Sequence, residues 1–214
     1  MAGQPLSLAP DIATLVRAGA LYFDISRVVE RDETLDEPLA RAEQSARANE
    51  ALDIGPARHL YRGFGIDPTR TRPSSESLLR RVRHGEGLPR INTLVDLCNW
   101  CSMEVQLPYG LYDLDRVQPP VELRRGRPGE AYQGIRKDEV HLEGRPTLAD
   151  AHGPFGNPTS DSSRTMVTTA VHRCLVVVFS PAAMAQAGMT RVLDLTSSRF
   201  AEYAGGVETW RWVS

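Results

Sequence analysis

The chain has 214 residues, of which 41% are hydrophobic and 24% charged, with a formal net charge of −2. That balance excludes a disordered chain and leaves ample sequence for a buried core. It also excludes a global pull toward nucleic acid, so any RNA contact has to come from a local basic patch, and no DNA partner is expected.

Residues 1–10 read as a tail without the basic leader of a signal peptide, and a single domain is expected over 11–214. Residues 18–25 (AGALYFDI) read as a first, buried strand. A helix follows through Leu35, Leu39, Ala42 and Ala46, spaced near the helical period, and Gly55-Pro56 is expected to stop it. Residues 59–72 (HLYRGFGIDPTRTR) have no period and read as an ordered connection.

The sharpest local signals fall in 73–117. Ser74 or Ser75 can cap a short helix with Glu76 in its first turn, Leu78, Leu79 and Val82 in the core, and Gly85 at its end. A second helix starts near Ile91, with Ile91, Leu94, Val95, Cys98, Cys101 and Val105 on one face. Asn92, Asp96 and Asn99 share the neighbouring face, where they either cap and bridge to loops or line a pocket. Pro108 ends this helix, Tyr109-Gly110 is predicted to turn, and Asp113 and Asp115 are expected to satisfy backbone donors rather than to form an acid–base pair.

Short strands and turns are expected over 121–142. Residues 147–169 read as a long loop, either functional or a surface excursion, because Gly153, Pro154, Gly156, Asn157 and Pro158 oppose regular structure and a run of hydroxyls follows them. Residues 174–179 (CLVVVF) form the predicted central strand, far shorter than the roughly 20 residues of a membrane helix. Pro181 is expected to open an Ala-rich helix, a second helical stretch covers 191–203, and WRWV closes the chain as an edge strand.

Few residues carry chemistry on their own. Cys98 and Cys101 make a C-x-x-C that His172 and Cys174 could extend to a zinc site, but both sit on the apolar helix face and no second C-x-x-C exists, so no metal is expected. Three cysteines make no disulfide framework, and the cytoplasm is the expected compartment. P-loop, dinucleotide, G-x-S-x-G and H-E-x-x-H motifs are absent. His152, beside glycines, is the histidine placed to meet a ligand. Arg80, Arg81, Arg83 and His84 form one basic patch and Arg124, Arg125 and Arg127 another, each either solvated surface or an RNA contact.

The pattern Pro73-Ser74, Glu76, Arg80-Arg81-Val82, Ile91-Asn92, Val95-Asp96, Asn99, Pro108 and Asp113-Leu114-Asp115 resembles the B3/4 domain, the tRNA-editing domain of the bacterial phenylalanyl-tRNA synthetase beta subunit, and its free-standing relatives. The segment from His152 to Asn157, with Ser160 and Thr165, is similar to the family's second pocket segment, and YRGFGIDPTRTRPS to the solitary members. The resemblance implies an α+β fold with a layered sheet core, mixed or antiparallel, flanked by helices, and no aminoacylation machinery. It implies hydrolysis in trans of the ester of a mischarged tRNA, without a cofactor. Carried onto this chain, Asn99 and the backbone around Gly153 and Gly156 match the family's pocket; the editing reading adds Asn92, Tyr109 and Gly110 to that pocket, His152 (on its chemistry alone) and Thr165 as catalytic candidates, and Arg80, Arg81 and Arg83 toward RNA. Gly110 stands where the synthetase form has a pocket histidine, which reshapes the pocket and leaves the amino acid open. The alternatives are a non-catalytic RNA-binding module and a binder of free amino acids or other small molecules on the same fold.

Overall fold

In the computed structural model, which describes residues 6–135 and 139–214, helices cover one face of a four-stranded sheet and a second four-stranded sheet covers the other. The first sheet runs β10 (Val207–Val213), β2 (Val16–Asp24), β9 (Arg173–Pro181) and β3 (Tyr109–Asp113), antiparallel throughout. The second runs β1 (Leu6–Leu8), β4 (Val121–Arg125), β7 (Pro146–Asp150) and β8 (Gly153–Gly156), with β1 parallel to β4. A separate pair joins β5 (Ala131–Gln133) to β6 (Glu139–His141). The fold is therefore α+β with mixed sheets, as expected.

The near-continuous apolar run of β9 follows from this layering. Cys174, Val176 and Val178 face the helices, while Leu175, Val177 and Phe179 face the second sheet, so successive side chains enter two different cores. Fully burying each large apolar side chain contributes roughly 1.5–3 kcal/mol. The helical core is closed by α1 (Asp36–Ala48), α3 (Ser74–Arg83), α4 (Thr93–Val105) and α5 (Gln186–Ala204), whereas α2 (Gly55–Gly63) packs Leu60 and Tyr61 into the core between the sheets.

Several expectations are corrected. Residues 6–8 of the supposed tail form β1, because Leu6 is buried and pairs with Val121. Gly55-Pro56 opens α2 instead of ending α1, with proline in the first turn where no N–H is missed, so residues 59–63 of the supposed connection 59–72 are helix. Ser75 is buried within α3 and caps nothing. Tyr109-Gly110 begins β3, an edge strand, and the supposed loop 147–169 starts as strands, residues 147–150 of β7 and Gly153–Gly156, which pair with each other. Pro181 ends β9, and a single helix α5 begins at Gln186.

Two ion pairs fix the helices that flank the site. Arg58 of α2 donates from both Nε and Nη2 to the buried Glu76 of α3, at 2.8 and 2.7 Å, and holds that carboxyl below its ordinary range. Before α4, Arg90 Nε and the Ile91 N–H each donate to Asp96 at 2.7 Å. Asp113 and Asp115 take the structural role expected of them: Asp113 accepts the Asp115 N–H, and Asp115 pairs with Arg173.

Candidate functional site

A cavity of about 340 Å³ lies where α4, the edge strand β3 and the 157–167 loop converge. Helix α4 supplies Val95, Cys98 and Asn99, β3 supplies Tyr109 and Leu111, and the loop supplies Asn157 and Asp161. The loop is irregular yet pinned. Buried Asn157 accepts the Thr159 and Ser160 N–H groups at 2.7 and 3.0 Å and donates to Tyr132 Oη at 2.8 Å, an Asx turn locked from both ends. Tyr61 of α2 reaches across to donate to the Pro158 carbonyl at 3.0 Å.

Asp161 is the ionisable carboxylate of the lining among the described residues. Tyr112 Oη donates to its Oδ1 at 2.8 Å, and the Leu111 N–H, at the open edge of β3, donates as well. Burial outweighs these two donors and pushes the Asp161 carboxyl up to about 7, and the same burial drives the Tyr112 phenol well above its usual value. A carboxyl so placed changes charge near neutral pH inside a largely apolar chamber.

The phenol of Tyr112 reaches Asp161 through a slot left by two glycines. A Cβ at Gly110 would stand 2.1 Å from Tyr112 Oη, and one at Gly156 would stand 2.2 Å from it. Gly110 therefore serves the tyrosine packed against it. A side chain at this position would meet the Tyr112 ring, so residue 110 offers the cavity none.

Beside the cavity runs a shallow groove of about 620 Å³ along α3, whose Ser74, Ser77, Leu78 and Arg81 recur on one helical face. Arg72, Arg80 and His84 add to its basic character. Groove and cavity share Ser74, Asn99 and Thr159, so one wall separates a cavity with one carboxylate from a groove in which arginines outnumber the one carboxylate of its lining, Glu86, paired with Arg81 at 2.7 Å. The Asn99 side chain has no hydrogen-bond partner among the described residues, which leaves its amide available at that wall.

The structure brings Asn99 and Tyr109 of the expected site to the cavity; the Tyr109 hydroxyl is bonded to Thr196 Oγ1 at 2.9 Å. It separates the others. Asn92 caps α4 by accepting the Val95 N–H at 3.0 Å. His152 is exposed at the tip of the β7–β8 turn, where Gly153 adopts φ +108°, and neither residue reaches the cavity wall. Thr165 is fully buried beside the wall residues Met166 and Val167 but is not part of the wall. Arg80 and Arg81 lie in the groove, whereas Arg83 donates to the Asn49 carbonyl at 2.8 Å away from it. The second arginine patch dissolves: Arg124 is buried against Glu130, and Arg125 stacks over Phe64.

Asp161 carries no local signal in the sequence. In the string NPTSDSS it looks like any loop aspartate, and only the long-range approach of Tyr112 and Leu111 distinguishes it. Cys98 and Cys101 are buried in α4, and burial pushes both thiols up, which makes them poor nucleophiles. No group of three or more His, Cys, Asp or Glu side chains able to hold a metal occurs among the described residues, and no helix there is long and apolar enough to cross a membrane.

Comparison with known proteins gives one consistent outcome. The family model described as the B3/4 domain matches residues 56–211. The phenylalanine–tRNA ligase beta subunit of Xanthomonas campestris is 29% identical over 154 residues, 70% of this chain and 19% of its own length. That of Xanthomonas euvesicatoria is 26% identical over 221 residues, 95% of this chain and 26% of its own. The chain thus spans about a quarter or less of the curated relatives it matches. An N-terminal fragment of the phenylalanyl-tRNA synthetase beta subunit from Pyrococcus horikoshii aligns with 98% of this chain and 53% of its own, at 14% identity and a TM-score of 0.48.

Proposed function

The chain belongs to the B3/4 domain family, and from that premise we propose that it is an editing-type aminoacyl-tRNA deacylase, acting in trans in the cytoplasm on the ester of a mischarged tRNA. The observation that carries this reading is the pair of compartments sharing one wall: an apolar cavity with a carboxylate, and a groove bearing Arg72, Arg80, Arg81 and His84. The 3′ end of an aminoacyl-tRNA has the same two-part character, with an amino acid on one side of the ester and phosphodiesters on the other. Arginines suit the phosphates, the cavity suits an amino-acid side chain, and the ester falls at Ser74, Asn99 and Thr159.

Hydrolysis of this ester asks for little. It is already activated, so the protein has to position it, admit one water and stabilise the developing oxyanion with donors in a partly dehydrated site. The Asn99 amide is the side-chain donor placed for that task. No cofactor enters the reaction.

Incubating the protein with tRNAs carrying a panel of mismatched amino acids provides the test. Faster release of at least one amino acid with an apolar side chain is expected, and no acceleration for any member of the panel would overturn the reading. RNA binding without release would instead indicate a non-catalytic module, and uptake of free amino acids indifferent to tRNA would indicate a small-molecule binder.

A further inference from the structure

Asp161 lines the cavity, and the chemistry of that residue bears on what a ligand there can be. Its carboxylate is fixed by Tyr112 Oη and the Leu111 N–H, and Gly110 and Gly156 both forgo a side chain so that the phenol can reach it. A carboxylate held by two neutral donors, with no cationic side chain bonded to it among the described residues, lacks a counter-charge. Compare the buried carboxylates among the described residues: Glu76 has Arg58, Asp96 has Arg90, Asp32 has Arg27 and Asp113 has Arg116. Asp161 departs from that pattern at a residue that lines a cavity.

We propose that Asp161 is the specificity-determining anchor for the α-ammonium group of the ligand, so that the cavity takes amino acids whose amine is free and whose carboxyl is esterified or amidated. The inference rests on the deacylase reading for its choice of ligand and adds two exclusions to it. Acylating the amine removes the charge that Asp161 pairs with, so N-blocked aminoacyl and peptidyl groups are rejected. A free carboxylate in the same chamber meets a like charge, so free amino acids bind more weakly than their amides. Burial, which makes the unpaired carboxylate expensive, also strengthens its attraction to an incoming ammonium, and the elevated pKa of Asp161 reflects the cost that such a ligand would relieve.

The experiment is calorimetry on the intact protein at pH 7.5 with three probe series built on leucine, methionine, phenylalanine and tyrosine: the amides, the N-acetyl amides and the free amino acids. The best amide is expected to bind at least about tenfold more tightly than its N-acetyl form and than its free acid, and Asp161→Asn is expected to abolish the gap. Equal affinity of amide and N-acetyl amide, a preference that survives Asp161→Asn, or no binding by any amide at 10-millimolar-scale concentration (about the limit of weak binding) each overturns the proposal. Should the variant fail to fold, the amide against N-acetyl comparison on the unaltered protein decides alone. Amide preference without release from any mischarged tRNA would leave this inference standing and overturn the deacylase reading, while release from aminoacyl and N-acetyl-aminoacyl tRNA at equal rates would do the reverse.

Discussion

Gly110 changes meaning once the side chains around it are seen. By sequence it is a pocket position that has lost a histidine; in the fold it is the space into which Tyr112 leans to reach Asp161. Gly110→Ala is expected to destabilise the protein by about 1–3 kcal/mol in chemical denaturation, since the overlap involves ring atoms in a close-packed layer; an unchanged midpoint would contradict the arrangement. Asp161 makes a pH-dependent prediction. Its folded-state carboxyl titrates near 7, above its unfolded value, so the native state retains the proton and this group's contribution turns unfavourable as pH rises from about 4 to about 7. Asp161→Asn has no such group to ionise. Its stability relative to the parent protein, read as a difference in melting temperature, is expected to grow between pH 4 and 7 and to level above that range, whereas a pH-independent difference would place the Asp161 pKa elsewhere.

The elements that hold the site are tied by charge as well as by packing. Glu76 is buried, bonded twice to Arg58, and joins α2 to the helix that carries the basic groove. Glu76→Gln is expected to cost about 2–3 kcal/mol, because it weakens a charge-assisted pair and leaves the guanidinium partly unpaired; denaturation of the variant with an unaltered midpoint would remove Glu76 from this role. The sequence makes these elements legible to different degrees. Strands β9 and β2 announce themselves through apolar runs and helices α3 and α4 through local periodicity, whereas the capping role of Asn92 shows only in the fold. Helix α2 is hidden because Gly55 and Pro56 look like a stop until proline is recognised as a first-turn residue. Strand β8 is hidden because three of its four residues, Gly153, Pro154 and Gly156, are types depleted in strands, and it is held by pairing with β7. Asn99 and Tyr109 could be placed in a pocket from their motif, but Asp161 could not, since its environment is assembled by residues about 50 positions away in sequence.

Across the whole molecule, the sheet sandwich fixes one edge, β3, and the helices and the 157–167 loop build a chamber and a groove around it. Binding of tRNA is predicted to depend on that groove despite the net charge of −2. Arg80→Ala is expected to weaken tRNA binding about equally for all sequences and to lower the slope of log affinity against log salt by about 1, while an unchanged slope would move the RNA path elsewhere. The joint use of chamber and groove is decided by the rate at which an amino acid leaves a mischarged tRNA in the presence of the protein and of its Asn99→Ala variant, in which the shared wall loses its donor. The predicted result is accelerated release for at least one apolar amino acid, reduced about 100-fold in the variant. Release no faster than in buffer, or equally fast with Asn99→Ala, would contradict it.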